Sequence, residues 1–394
     1  MNPTTVVATE PVSGAPDVVT QTTRSTSTRL LSLDAFRGIT IAGMLLVNNP
    51  GSWSHIYPPL EHATWNGWTP TDLIFPFFVF IVGVAMTFSF GKQIENGAER
   101  NDLLLKTAKR ALLIFLTGLA IHSFPWVGYD YSHWRIPGVL QRIAVAYLFA
   151  ASIYLFTTVR GQVIAIATLL VGYWLLQTLV PVPGGFTGVL KPGLDLGAYI
   201  DRSIFTENHL WREAKTWDPE GLLSTLPAIG TALLGGLAGQ WIRSRQTQIE
   251  KVTGLFIAGA VLMCVGGMWG WVFPINKSLW TSSYVLFTAG FAAQFLAFCY
   301  WLIDVKGYQR WAKPFIIYGM NAIAAFFLSA VVARTMNLIK VGGDHVALKT
   351  FIYKNFYESW LAPINASLLF AISYVLLFLG ILTIMYRRKI FIKL

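Results

Sequence analysis

Ten apolar runs divide this chain of 394 residues, at roughly 33–49, 72–91, 108–124, 138–158, 161–181, 222–242, 252–273, 279–303, 313–335 and 364–386. Each is near the ~20 residues that a bilayer demands of a spanning helix. Lipid offers the backbone no partner, so such runs can cross only as helices or as closed barrels. Runs of this length exclude the short alternating strands of a barrel. Charged residues make up only 12% of the chain, about half the share of a soluble domain. That is too little to solvate the surface, and a mean hydropathy of +0.54 agrees. The expected fold class is all-α: a polytopic membrane protein with a bundle of about ten transmembrane helices. The 15 tryptophans fit an interfacial belt, with Trp53, Trp126, Trp211, Trp271 and Trp360 at expected headgroup level.

Lysine and arginine set the expected orientation. With the N-terminus in the cytoplasm, the inside segments hold twice as many as the outside segments, on shorter loops. Both termini are then cytoplasmic. Residues 1–28 are rich in Thr, Ser, Val and Pro, lack a signal-length apolar core, and are expected to be a disordered cytoplasmic tail. Residues 29–394 form the membrane domain. All six histidines fall outside or at the outer edge, so polar function is expected on that face.

The net charge of +11 is explained by positive loops on the inner side rather than by nucleic-acid binding. Cys264 and Cys299 lie in apolar runs and suggest neither a disulfide framework nor a metal site. Phosphate-binding loops, dinucleotide fingerprints and metal-ligand spacings are not found in the sequence, so no metal is expected.

The first helix reads Leu33-Asp-Ala-Phe-Arg-Gly-Ile-Thr-Ile-Ala-Gly-Met-Leu-Leu-Val-Asn48. Asp34 and Arg37 are placed for a local ion pair. Arg37 and Asn48 share a helix face at an axial separation of about 16 Å, so an elongated anionic ligand could span them. Equally, both could simply hydrogen-bond inside the bundle. Thr69-Pro-Thr-Asp72 has the form of a helix start, with Thr69 at the N-cap and Asp72 at N3; Asp72 is a capping residue or a catalytic one. His62 is a loop histidine or a general base. Gln141 and Arg142 lie one turn into the fourth helix, where a charge is costly and is either functional or structurally paired. Asn321 and Arg334 carry the same two readings. Gly235, Gly236 and Gly239 suggest close helix packing. The terminal Tyr386-Arg-Arg-Lys-Ile-Phe-Ile-Lys-Leu394 suits either a phosphate or a positive-inside anchor.

These pieces together resemble the heparan-α-glucosaminide N-acetyltransferase family and its bacterial relatives. The resemblance runs from Leu31 to Leu394. It rests on Leu33-Asp-Ala-Phe-Arg-Gly38, Val47-Asn48, His62-Ala-Thr-Trp-Asn-Gly67, Thr71-Asp-Leu-Ile-Phe-Pro76, Gly138-Val-Leu-Gln-Arg142, Trp217-Asp-Pro-Glu-Gly221, Asn276-Lys-Ser-Leu-Trp280, Gly319-Met-Asn321 and the terminal segment. It implies a multi-helix acyltransferase, often homodimeric, that carries acetyl from cytosolic acetyl-CoA to a terminal glucosamine across the membrane. His62 matches the catalytic histidine and Asn48 its companion. Arg37 and Arg142 match the family's helix-1 and helix-4 arginines, and Lys393 matches a penultimate CoA-contacting lysine. The animal enzymes' lumenal domain and leading helix have no counterpart, which implies a bacterial inner-membrane form. The stretch between Asn48 and His62 is longer, by Asn49-Pro-Gly-Ser-Trp, so the acceptor is expected to differ from heparan.

The resulting expectation is an acetyl-CoA-dependent N-acetyltransferase of the inner membrane. His62, Asn48 and Asp72 are the catalytic candidates. Arg37, Gln141, Arg142, Arg387, Arg388 and Lys393 are assigned to the donor, and Trp65, Asn66, Asn276 and Asn321 to an amino-sugar acceptor. The bilayer and a second copy of the chain are the other expected partners. Direct transfer and a covalent acetyl-histidine remain alternatives. The rival from another class is an amino-sugar permease, although neither repeats nor paired broken helices appear in the sequence.

Overall fold

The computed structural model describes residues 30–185, 187–342 and 345–392; the expected tail at 1–28 and Lys393 lie outside the described residues. Each of the ten apolar runs overlaps a helix. In chain order the helices are α1 (Leu31–Asn48), α2 (Ile74–Glu95), α3 (Arg100–His122), α4 (Val139–Phe156), α5 (Val159–Leu179), α6 (Leu196–Phe205), α7 (Thr225–Arg243), α8 (Gln248–Trp269), α9 (Ser282–Cys299), α10 (Lys313–Met320), α11 (Ala322–Leu338), α12 (Leu348–Tyr353) and α13 (Pro363–Arg387). A two-residue hairpin, Lys340–Val341 against Val346–Ala347, is the sole sheet among the described residues.

Seven of these helices are long and apolar enough to cross a membrane, or eight if α10 and α11 count as one broken span. Two further runs, α3 and α7, also form long helices. The first three turns of α3 are diluted by Arg100, Asp102, Lys106, Lys109 and Arg110, and α7 by its glycines. More than half of the apolar stretch of α1, α2, α4 and α9 is buried, whereas α5, α8 and α13 turn most of theirs outward. The first group therefore forms the bundle interior.

The straight span expected over 313–335 is broken. α10 and α11 bend by 82° at Asn321. The buried Asn321 side chain donates to the Ile390 carbonyl and accepts from the Ile392 amide, so it is committed to the C-terminal segment. Side-chain bonds to distant backbone of this kind compete with a continuous helix ladder.

Close approach of helices depends on missing side chains, as a membrane bundle requires. A Cβ on Gly235 would lie 2.0 Å from the Phe80 carbonyl, and one on Gly83 1.8 Å from that of Ala232. This brings α7 against α2, and α2 begins beside the polar residues described next.

Candidate active site

The four residues ahead of α2 build the site. Pro70–Leu73 form a 3-10 turn that runs into α2. The Asp72 side chain is buried at its start and accepts from the Thr69 amide at 3.0 Å and the Ala63 amide at 3.0 Å. Its other oxygen lies 2.7 Å from His62 Nδ1. The carboxylate that caps the turn therefore also holds the histidine. An ionised carboxylate only accepts, so Nδ1 carries the proton and donates. In the neutral ring the lone pair is then on Nε2.

Lys277 completes the group. Its Nζ lies 3.0 Å from His62 Nδ1, 3.2 Å from Nε2 and 3.6 Å from Asp72 Oδ1. Burial pushes the Lys277 amine below the usual lysine range, against the raising pull of the Asp72 and Glu220 carboxylates. The loops that carry the two residues are stitched together. Gly67 donates its amide to the Ile275 carbonyl, and Asn276 Nδ2 donates to Asn66 Oδ1 at 3.1 Å. The Tyr284 hydroxyl donates to the Asp72 carbonyl from α9.

His62 is half exposed and opens onto a cleft of about 380 Å³. Asn48 of α1, Asp72, Trp65, Arg135, Trp211, Trp217, Glu220 and Lys277 share its lining. The side-chain amide of Asn48 makes no hydrogen bond among the described residues. Trp65, Trp217 and Trp211 meet edge to face, with ring centres 5.1 and 5.6 Å apart. Trp65 is fixed by donating to the Leu190 carbonyl at 2.7 Å. Arg135, also in the lining, forks onto Asp218 at 2.8 and 2.6 Å and reaches Glu220 at 2.6 Å. Burial alone would weaken the arginine's charge, but hydrogen bonds and charge from Asp218 and Glu220 raise its pKa above the arginine range.

Near Asp218 lies Asp201, almost fully buried and accepting from the Leu222 amide at 2.8 Å. Burial raises its carboxyl to about 7, helped by the neighbouring Asp218, while the Leu222 bond pulls the other way. The folded form therefore holds a proton that the unfolded chain has already lost above pH ~4. Stability should fall as pH rises from about 4 to 7 and level off above that. Thermal melting of wild type against Asp201→Asn in detergent across this range checks it: the variant should lack that part of the slope.

The structure thus gathers His62, Asn48, Asp72 and Trp65 around one cleft. The remaining assigned residues lie elsewhere or serve it indirectly. Asn276 is buried and spends its amide on Asn66 and the Leu279 amide, holding the loop. Asn321 sits at the helix break. Arg37 pairs with Asp34 at 3.2 Å and donates to the Gly319 carbonyl at 3.4 Å. The buried Arg142 donates to Ser224 and the Gly221 carbonyl and lies over the Trp280 ring at 4.9 Å. Gln141 lies near His122, at 3.4 Å. Arg387 and Arg388 are exposed at the end of α13. Sequence reasoning missed Lys277 and the Arg135–Asp218–Glu220 fork. Their signals were the neighbours of Asn276 and the Trp217-Asp-Pro-Glu220 string, both noted without a role.

The described residues thus form a bundle of apolar, membrane-type helices with a carboxylate-held histidine at an aromatic cleft. The family described as "Heparan-alpha-glucosaminide N-acetyltransferase, catalytic" matches residues 29–269. The mouse heparan-alpha-glucosaminide N-acetyltransferase is 33% identical over 363 residues, covering 79% of this chain and 54% of the mouse protein. The human one is 33% identical over 371 residues, covering 81% and 55%. The chain spans about half the length of these curated relatives. It belongs to the heparan-alpha-glucosaminide N-acetyltransferase family.

Proposed function

We propose that this protein is a transmembrane N-acetyltransferase that moves acetyl from acetyl-CoA to the amino group of a glucosamine-type sugar. The observation that carries the reading is the 2.7 Å contact of His62 Nδ1 with buried Asp72 at the edge of the cleft shared by Asn48. In this reading His62 Nε2 takes a proton from the acceptor amine as its nitrogen attacks the thioester carbon. A C–N bond forms, the C–S bond breaks, and the imidazolium returns the proton to the leaving thiolate. The Asn48 amide donates to the oxyanion between the two steps. A transient acetyl on His62 is the alternative order of events. The edge-to-face tryptophans favour a pyranose acceptor, because flat aromatic surface suits the apolar face of a sugar ring.

Cytosolic delivery of the donor to a periplasmic acceptor, both termini in the cytoplasm of a bacterial inner membrane, a single domain over 29–394 and a homodimer belong to the same proposal. Arg387, Arg388 and Lys393 would receive the nucleotide end of CoA, and Arg37, Gln141 and Arg142 would flank its arm. Asn66 and Asn276 would act on the acceptor side, Asn276 by holding backbone, whereas Asn321, expected there, holds Ile390 and Ile392 and would instead steady the donor end.

The purified full-length protein, incubated in detergent with radiolabelled acetyl-CoA and glucosamine, should produce labelled N-acetylglucosamine. Binding of CoA without transfer would overturn the acceptor. Absence of CoA binding would overturn the acyltransferase and leave sugar uptake by vesicles, without acyl-CoA, as the measure of a permease.

A further inference from the structure

Lys277 approaches both ring nitrogens of His62 almost equally, at 3.0 and 3.2 Å. The in-plane axes of the two nitrogens diverge, so one amine this close to both lies over the ring face. It therefore leaves the in-plane lone pair on Nε2 open. We propose that Lys277 is a positioning residue whose ammonium, against the face of the His62 ring, keeps the imidazole uncharged and ready to accept a proton. The inference rests on the role given to His62 above.

The charges around the ring fix the sign. Asp72 lies at the Nδ1 edge and, by itself, favours an imidazolium. Lys277 opposes it from the face. Glu61 adjoins the histidine in sequence, Glu220 and Arg135 line the cleft, and the like charge of Arg142 disfavours the Lys277 ammonium. Without Lys277 the carboxylate would be the strongest charge in contact with His62. The ring would then carry a proton at pH values where the native site offers a free base. A buried amine costs desolvation and is retained here beside a carboxylate that already accepts from His62 and from the Ala63 and Thr69 amides.

Two measurements on the full-length protein test this, with Lys277→Met preserving the apolar stem and Lys277→Arg preserving the charge. The first is kcat/KM for acetyl transfer against pH, whose acid limb reports the free enzyme's base. The limb of Lys277→Met should move up by about one to two pH units, the size expected of a unit charge about 3 Å away in a wet site. Lys277→Arg should keep the native limb. A uniform loss at every pH, with the limb unmoved, would reduce Lys277 to a structural role and overturn the proposal. The second needs no turnover. In protein labelled at histidine with carbon-13, the resonance that disappears in His62→Ala should titrate at higher pH in Lys277→Met, and an unchanged titration overturns the proposal. If wild type transfers no acetyl, the functional reading fails while this titration still decides Lys277.

Discussion

Replacing His62 by alanine is expected to lower the rate of acetyl transfer by about 10²–10⁴-fold, the usual contribution of a positioned proton acceptor. The side chain is half exposed at the cleft and belongs to no core cluster, so its removal leaves no cavity. Melting temperature should stay within a few degrees of wild type. The two readouts together matter. A folded, inactive variant that still binds CoA assigns the loss to chemistry. Retained activity would remove His62 from the mechanism and leave the donor to be attacked by an amine that loses its proton to water.

The second large effect is expected of Asp72→Asn, by a different route. Oδ2 of Asp72 accepts from the Ala63 and Thr69 amides, and an asparagine carbonyl can do the same. The turn before α2 should survive. The amide nitrogen then occupies the position facing His62 Nδ1 and donates instead of accepting. The ring must turn its lone pair to Nδ1 and its proton to Nε2, so the cleft side no longer offers a base. The same substitution in a serine protease triad costs about 10⁴ in kcat with geometry intact, so a loss of about 10³–10⁴-fold is expected here. Asp72→Ala should lose the cap as well and melt lower, by about 1 kcal/mol or more. If Asp72→Asn retained full activity, the carboxylate would be a cap alone.

What could be read from the chain differs by the physics involved. Apolar length forces helices because lipid leaves the backbone no alternative, and every one of the ten runs overlaps a helix. Thr69 to Asp72 announced a helix start because capping is local. The resemblance pointed to Asn48 and His62, which the fold brings to one cleft. Lys277 was not legible, since it lies 215 residues from His62 and only the packing of the 274–281 loop beside the 62–72 loop joins them. The same holds for Arg135 and Asp218, 83 residues apart. The break at Asn321 was hidden because it depends on backbone 69 and 71 residues further on. Arg142, expected to serve the donor, is buried against Ser224 and Trp280; from sequence a charged residue inside a span has two readings, and neither composition nor spacing separates them.

One carboxylate both closes the turn ahead of α2 and holds the histidine, so architecture and the proposed chemistry draw on the same atom group at Asp72. The two demands would be released in a fixed order during divergence. A descendant that gave up the proposed reaction could discard His62 at little cost, because that ring is half exposed and lies outside the core. It could not as freely discard Asp72, whose loss would loosen the entry to an interior helix. Inactive offshoots of this fold should therefore retain the aspartate long after the histidine has drifted.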